Sequence, residues 1–394
     1  MLNCSNAEKV LKTVYLDVVA NQIDTTTSPF YNMIAKGSEN VVGRDVVCPT
    51  RIGINGGIGC ASDDADLPAA GNPQFLSLRA PIVNIFGNIE ISDKVLRASQ
   101  GNAGSFINVL NSEMESLVDA AKFNFGRMLF QDGSGTLAQI VGSSSTASAS
   151  SSTLYVNTVK NVVEGMIIDV IKNGAVVSAG HRVTYVDREN KTVKVDGNVL
   201  DTTANNILTL QGSFKSELLG LPYLFQTPAE QTAIYSNSRI MVNYILPTAK
   251  SVGAVTADAI QELLDEIEEK SGNSGTNLII ASYDMRRKYL AALQATRSNI
   301  DYLNLDGGFR TLSYNGIPVY ADRFAQDNTM YFLNTDDFKL QQLGDWSWIE
   351  GSNGKILRQL NNKAAYGATL VKYANLICVR PIAQAKMVYD STLA

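Results

Sequence analysis

The sequence predicts an α+β protein, and three observations carry that reading. Strand-like and helix-like segments alternate without the regular cadence of βαβ units. Residues 101–132 hold a helical apolar stripe, in which Phe106, Leu110, Met114, Leu117, Ala121, Phe125 and Met128 recur at spacings of three and four. Between Thr136 and Ser213, short apolar runs are punctuated by the turn dipeptides Asn173-Gly174 and Asp196-Gly197. The 394 residues are 45% hydrophobic and 18% charged, which supplies apolar side chains for more than one core and excludes a disordered tail or a collagen-like rod.

Taken in order, residues 1–40 read as an arm. A short helical pattern (Val10, Leu11, Val14, Tyr15, Val18) runs into the Thr-rich, Pro-containing break TTTSPF, and such a segment needs a surface to lie on. From Val41 to Ser92 the pattern is β-like: VVGRDVVCPTRIGI, the Gly- and Asp-rich loop GGIGCASDDADLPAAGNP, then QFLSLRAPIVNIFGNIEIS with apolar residues at Phe75, Ile85, Ile89 and Ile91. Two long strands joined by a tip make a hairpin. A two-stranded hairpin alone is marginal in water, and few helical neighbours in sequence can cover this one, so its partners are expected on another molecule. Folding back onto its own domain is the alternative, since exposed edges are normally covered.

The helix of 101–132 has Asn102 and Ser105 as candidate caps and leaves through DGSG, where Gly133 and Gly135 permit left-handed backbone. About 26 residues of helix would span about 39 Å, a spine across a flat domain. A Ser-rich run, GSSSTASASSST, then leads into a meander of hairpins: MIIDVI, AVVSAG, RVTYV, the polar turn DREN, TVKV, NVL and ILTL. This is an inserted all-β domain. KSELLGLPYLFQT follows with a mixed pattern, and AVTADAIQELLDEIEEKSGNSG reads as a helix opened by Thr256 whose acidic last turn opposes the helix dipole and is therefore solvated. Strand NLIIAS, helix YDMRRKYLAALQATR, strands GIPVYADR and MYFLNT, the aromatic run DWSWIEG and a long strand broken at Arg380-Pro381 complete the chain.

The chemistry-bearing residues point away from catalysis. Lys plus Arg total 33 against 38 Asp plus Glu, a net charge of -5 without a basic run, which disfavours tight charge-driven binding of nucleic acid. Cys4, Cys48, Cys60 and Cys378 form no CxxC pair and suit free thiols in a reducing compartment. No apolar run is long enough to cross a bilayer, and the start MLNCSNAEKVLK lacks the apolar core of an export signal, so neither export by that route nor a membrane span is expected. The single histidine, His181, sits in the β insertion with no second histidine or cysteine near it, and reads as a solvated or structurally bonded strand residue. GINGGIG at Gly53–Gly59 lacks the order of a phosphate-binding loop. Asp63, Asp64 and Asp66 read as a solvated loop tip in preference to a calcium site, and Glu262, Glu266 and Glu269 as a solvated helix face. Trp346 and Trp348 alternate on a strand, where packing is the usual role. No enzyme activity, metal or cofactor is expected.

The order of parts, with SDKVLRASQGNAGSFINVLNSEMESLVDAAKFNFGRMLFQDGSG, GIPVYADRF and YANLICVRP, resembles the major capsid protein of tailed bacteriophages, whose Hong Kong 97-type fold is shared with some encapsulating nanocompartments. The resemblance implies an N-arm at 1–40, an extended-loop hairpin at 41–95 lying over a neighbouring subunit, and a peripheral domain at 96–135 with the spine helix. It further implies a return to the peripheral domain at 216–240 after the all-β insertion of 136–215, an axial domain at 241–365, and a C-terminal strand at 366–394. On this reading the chain is a homo-oligomer of hexamers and pentamers, closing an icosahedral shell around double-stranded DNA without sequence-specific contacts. A separate scaffolding protein, a portal and decoration proteins are the further partners. It is located in the virion after synthesis in the bacterial cytoplasm.

The expected inter-subunit residues are Phe75, Leu76, Leu78, Ile85, Ile89, Ile91, Phe30 and Tyr31. No lysine lies between Lys36 and Lys94, so the covalent cross-link that the type member of the fold makes from a loop lysine is excluded. Some relatives carry a scaffolding segment before the arm, whereas here the arm pattern begins almost at Met1, so the resemblance implies a separate scaffolding protein, or none. A nanocompartment shell enclosing cargo enzymes is the alternative within the fold, and an attachment module centred on the β insertion is the alternative outside it.

Overall fold

The computed structural model describes residues 28–53, 55–63, 66, 68–94, 103–142, 151–238, 246–272, 275–295, 302–305, 309–351, 354 and 356–393. The helical pattern expected over Val10–Val18 lies outside them. The chain divides into two compact units, one of residues 1–125 and 224–394 and one of 126–223.

In the first unit, helix α1 (Pro29–Met33) opens on a proline at its first position, where the missing N–H costs no hydrogen bond. Strands β1 (Asp45–Arg51) and β2 (Phe75–Pro81) pair antiparallel from Asp45–Pro81 to Arg51–Phe75. Strand β3 (Val83–Ser92) follows, then the long helix α2 (Ala103–Leu129), helices α3 (Ala257–Ser271) and α4 (Tyr283–Ala295), and strands β4 (Phe338–Trp348) and β5 (Ala365–Cys378).

The hairpin expectation needs a correction here. The second leg ends at Pro81, and β3 with Ile85, Ile89 and Ile91 leaves the ribbon to pair antiparallel with β5 from Val83–Ala374 to Ser92–Ala365. Pro81 has no N–H to continue a ladder, which marks the break. Strand β5 is thus flanked by β3 and β4, and residues 35–37 add a short parallel edge to β4. The segment from Ser28 onward is correspondingly part of a core. Phe30 stacks edge-on with Phe338 at 5.3 Å between ring centroids, Tyr31 with Phe125 at 5.1 Å, and Phe125 with Trp346 at 6.2 Å. Ser28 also donates to the buried Asp322 carboxylate at 2.8 Å.

A seven-stranded sheet runs in the order 248–252, 385–389, 329–333, 278–281, 317–321, 309–314, 302–305. Its apolar core takes Ile260, Leu263, Leu264 and Ile267 from α3 and Met285 and Tyr289 from α4. Thr256 caps α3 by accepting from Ala259 N–H at 3.1 Å, and Gly272 closes it in the left-handed conformation. Glu268 and Glu269 at its acidic end are exposed, as the dipole argument requires. Strand 278–281 is buried at every position, and both tryptophans of β4 are buried.

The second unit is built on six antiparallel strands in the order 136–139, 207–210, 167–172, 175–187, 192–199, 151–155. The two outer strands meet through the Ile140–Val156 bridge, Val141 N–H to Tyr155 O at 3.0 Å and Asn157 N–H to Gln139 O at 2.9 Å. The sheet therefore closes on itself and leaves no open edge between these strands. Its interior is filled by Val170, Val183, Val193, Leu208 and their neighbours. Asn173 and Gly174 both take positive φ in the expected tight turn. Asp196-Gly197 does not form a turn. The strand Thr192–Val199 runs through it with a shifted register, so the dipeptide marks a bulge.

Candidate inter-subunit surface

The alternation of a two-stranded ribbon gives each residue pair one face. On β1 and β2 the pairs Val46–Ala80 and Cys48–Leu78 are buried against the rest of the first unit, while Arg51–Phe75, Pro49–Ser77 and Val47–Arg79 point the other way. The base is tied down by hydrogen bonds: Thr50 Oγ1 to Val379 O at 2.9 Å, Arg79 N–H to Tyr235 O at 3.1 Å, Asn237 Nδ2 to Ser77 O at 3.0 Å and Asn375 Nδ2 to Pro81 O at 2.6 Å. The ribbon is therefore satisfied on one face by its own chain and open on the other.

Beyond Arg51 the support ends. The described residues between 55 and 74 are exposed, apart from the half-buried Gly57 and Gly71, and Ile58 is 93% exposed. The two legs nevertheless stay together, because a Cβ at Gly71 would lie 2.6 Å from Gly56 N and 2.8 Å from Gly57 N. Only glycine allows that approach. Asn55 Oδ1 accepts from Gly57 N–H at 2.9 Å and fixes the turn of the outgoing leg.

The eight residues expected to meet a neighbour fall in three groups. Phe30, Tyr31, Leu78, Ile89 and Ile91 are buried in the core of their own chain, and Leu76 and Ile85 are half-buried. Phe75 alone presents most of its surface, at 64% exposed. Residues with outward faces that the apolar pattern passed over are Arg51, Arg79, Ile58 and Phe86. Phe86 is 56% exposed on β3, edge-on to Tyr373 of β5 at 6.4 Å. Its position in the alternation opposite to that of Ile85, Ile89 and Ile91 was the available signal.

The opposite face of this sheet packs against α2. A Cβ at Gly87 would lie 2.8 Å from Leu117 Cδ1. Lys372 is buried there between Phe125 and Trp346 and donates to Asp345 Oδ1 at 2.5 Å. Burial pushes the Asp345 carboxyl up, but the Lys372 ammonium, the Trp346 N–H and Lys36 together hold it below the usual carboxylate range. In the second unit, His181 is structurally bonded, with Nε2 2.7 Å from Ser178 Oγ and Nδ1 3.2 Å from Asp196 O. Among the described residues, no group of three His, Cys, Asp or Glu side chains is placed to hold a metal ion, and no helix is long and apolar enough to cross a membrane.

No protein-family model matches the chain, and no curated protein matches it. Solved structures do. The capsid asymmetric unit of cyanophage A-1(L) superposes over 92% of this chain and 93% of its own with a TM-score of 0.56 at 11% identity. The holo-SrpI encapsulin complex of Synechococcus elongatus covers 93% and 90% with a TM-score of 0.49 at 10% identity. The capsid of a native GTA particle covers 92% and 90% with a TM-score of 0.47 at 11% identity. The likeness to the cyanophage structure establishes the fold, which is the Hong Kong 97-like capsid fold that the sequence resembles.

Proposed function

We propose that this chain is the major capsid protein of a tailed bacteriophage. Many copies close into an icosahedral shell of hexamers and pentamers around a double-stranded DNA genome. The observation that carries this reading is the ribbon of residues 45–81. One face is packed on its own chain, and its other face and tip are exposed on a fold shared with a phage capsid subunit. A segment without its own core gains order only when something else covers it.

The role is geometric and mechanical, without turnover. Contacts are non-covalent, since the loop carries no lysine for a cross-link. Several of them hold each subunit, so that dissociation requires losing all together. The mild acidity of the chain suits a container, because a strongly basic inner wall would retain the packed polymer. A separate scaffolding protein, a portal and decoration proteins complete the proposed assembly, which is made in the bacterial cytoplasm and resides in the virion.

Light scattering and electron microscopy of the purified chain test this directly. Closed particles that copurify with double-stranded DNA are expected. Particles filled with cargo protein would replace the phage reading by a nanocompartment, and a persistent monomer would overturn both.

A further inference from the structure

The ribbon carries three exposed arginines at its stem, beside the half-buried Asp45, and exposed aspartates at its tip. Arg44, Arg51 and Arg79 at the stem are exposed, and their guanidinium groups make no hydrogen bond or ion pair among the described residues. Asp63 and Asp66 at the tip are exposed and likewise have no partner among the described residues, and Asp64 lies outside them. Arg51, Phe75 and Arg79 share one face, because Arg51 stands opposite Phe75 and Arg79 opposite Val47, an even step along the ladder. That face sets the Phe75 ring beside the Arg51 guanidinium, with Arg79 four residues further along the strand of Phe75 and the half-buried Asp45 beyond it. Guanidinium groups recognise carboxylates with bidentate geometry.

No described residue of the chain satisfies this arrangement. The legs run side by side at Gly56, Gly57 and Gly71, so the tip is carried outward, at most about 40 Å from Arg51 for a fully extended leg. Opposite charges at the two ends of one projecting element meet only between copies. Such a contact is head-to-tail, and repeated with a closing rotation it generates a ring.

We propose that the acidic tip of one copy's ribbon, through Asp63 and Asp66, docks on the Arg51–Phe75–Arg79 face of the next copy's ribbon. The inference rests on the shell reading above and adds to it the surface that receives the loop tip and the chemistry of that contact. Like charges placed across a contact of this kind oppose assembly strongly, and charges restored in reverse recover it.

The test uses the full chain with Arg51→Glu/Arg79→Glu, with Asp63→Lys/Asp66→Lys, and with all four substitutions. All four side chains replaced are exposed, and circular dichroism checks that each variant folds. At about 0.1 M salt, each double variant is expected to lower the particle yield about tenfold or more, and the fourfold variant to regain most of it. Wild-type particles together with undiminished yield from either double variant, or no recovery in the fourfold variant, would overturn the docking while leaving the shell reading intact. Absence of particles from the wild-type chain would overturn the shell reading and the docking with it.

Discussion

The Arg127 guanidinium donates to both carboxylate oxygens of Glu217, at 2.8 and 2.6 Å, with the two side chains 0% and 1% exposed. The pair joins the last turn of α2 to the segment that follows the closed sheet in the second unit. Its partners are fixed by packing, so neither charge can reach water when the other is removed.

Arg127→Met is therefore expected to cost about 3–5 kcal/mol, because it leaves the Glu217 carboxylate buried and alone. Arg127→Met with Glu217→Leu replaces the pair by apolar volume and should recover most of that loss. Urea unfolding monitored on the second unit by hydrogen exchange measures both. Equal stability of the single variant and the wild type would show that the pair contributes nothing.

Gly220 closes the same junction. A Cβ there would lie 2.5 Å from the carbonyl oxygens of Met128, Leu129 and Gln131, all of them backbone. Gly220→Ala should destabilise by about 2 kcal/mol or more, since the chain itself must shift. Gly37→Ala, where a Cβ meets nothing within 4 Å, should stay within about 0.5 kcal/mol and serves as the control.

Acid sensitivity of the second unit has an identified contributor. The Lys172 ammonium, bonded at 2.5 Å, and the Thr203 hydroxyl and N–H hold the Asp201 carboxyl at about 2. An unfolded aspartate titrates at about 3.9. The folded value is the lower one, so the stabilisation is complete above about pH 4 and is lost as the pH falls towards 2. Asp201→Asn should flatten the stability profile in that window; an unchanged slope between pH 4 and 2 would exclude this carboxylate as a source of acid unfolding.

The two faces of the ribbon predict opposite consequences for one chemical change. Phe75→Asp alters an exposed residue and should leave the monomer folded while reducing assembly. Leu78→Asp puts a charge into a fully buried site and should loosen the ribbon base by several kcal/mol. Thermal unfolding together with particle yield distinguishes them, and a fully assembling Phe75→Asp chain would remove that face from the contact.

Much of this was legible in the sequence because single elements carried strong periodicity. The stripe from Phe106 to Met128 marked α2, Thr256 marked the start of α3, and Asn173-Gly174 announced a tight turn. Pairing was harder to read. Alternation at Ile85, Ile89 and Ile91 looks the same whether the strand stays in the ribbon or crosses to β5, and only the ladder to residues 365–374 decides it. Asp196-Gly197 has the composition of a turn but lies within a strand, where the register shift absorbs it. The candidate surface was obscured for a related reason. Apolar residues mark a core as readily as an interface, so Phe30, Tyr31 and Leu78 proved to be internal, while the outward face is defined by Arg51 and Arg79 beside Phe75.

The central claim is tested most directly by comparing the full chain with a variant lacking residues 53–74, both purified and imaged by electron microscopy with monomer folding checked in parallel. The account predicts closed particles from the full chain, with density of the ribbon tip against a neighbouring copy, and a folded, unassembled subunit from the deletion. Normal particles from the deletion variant, or a full-length chain whose ribbon touches no other copy in any assembly, would contradict it.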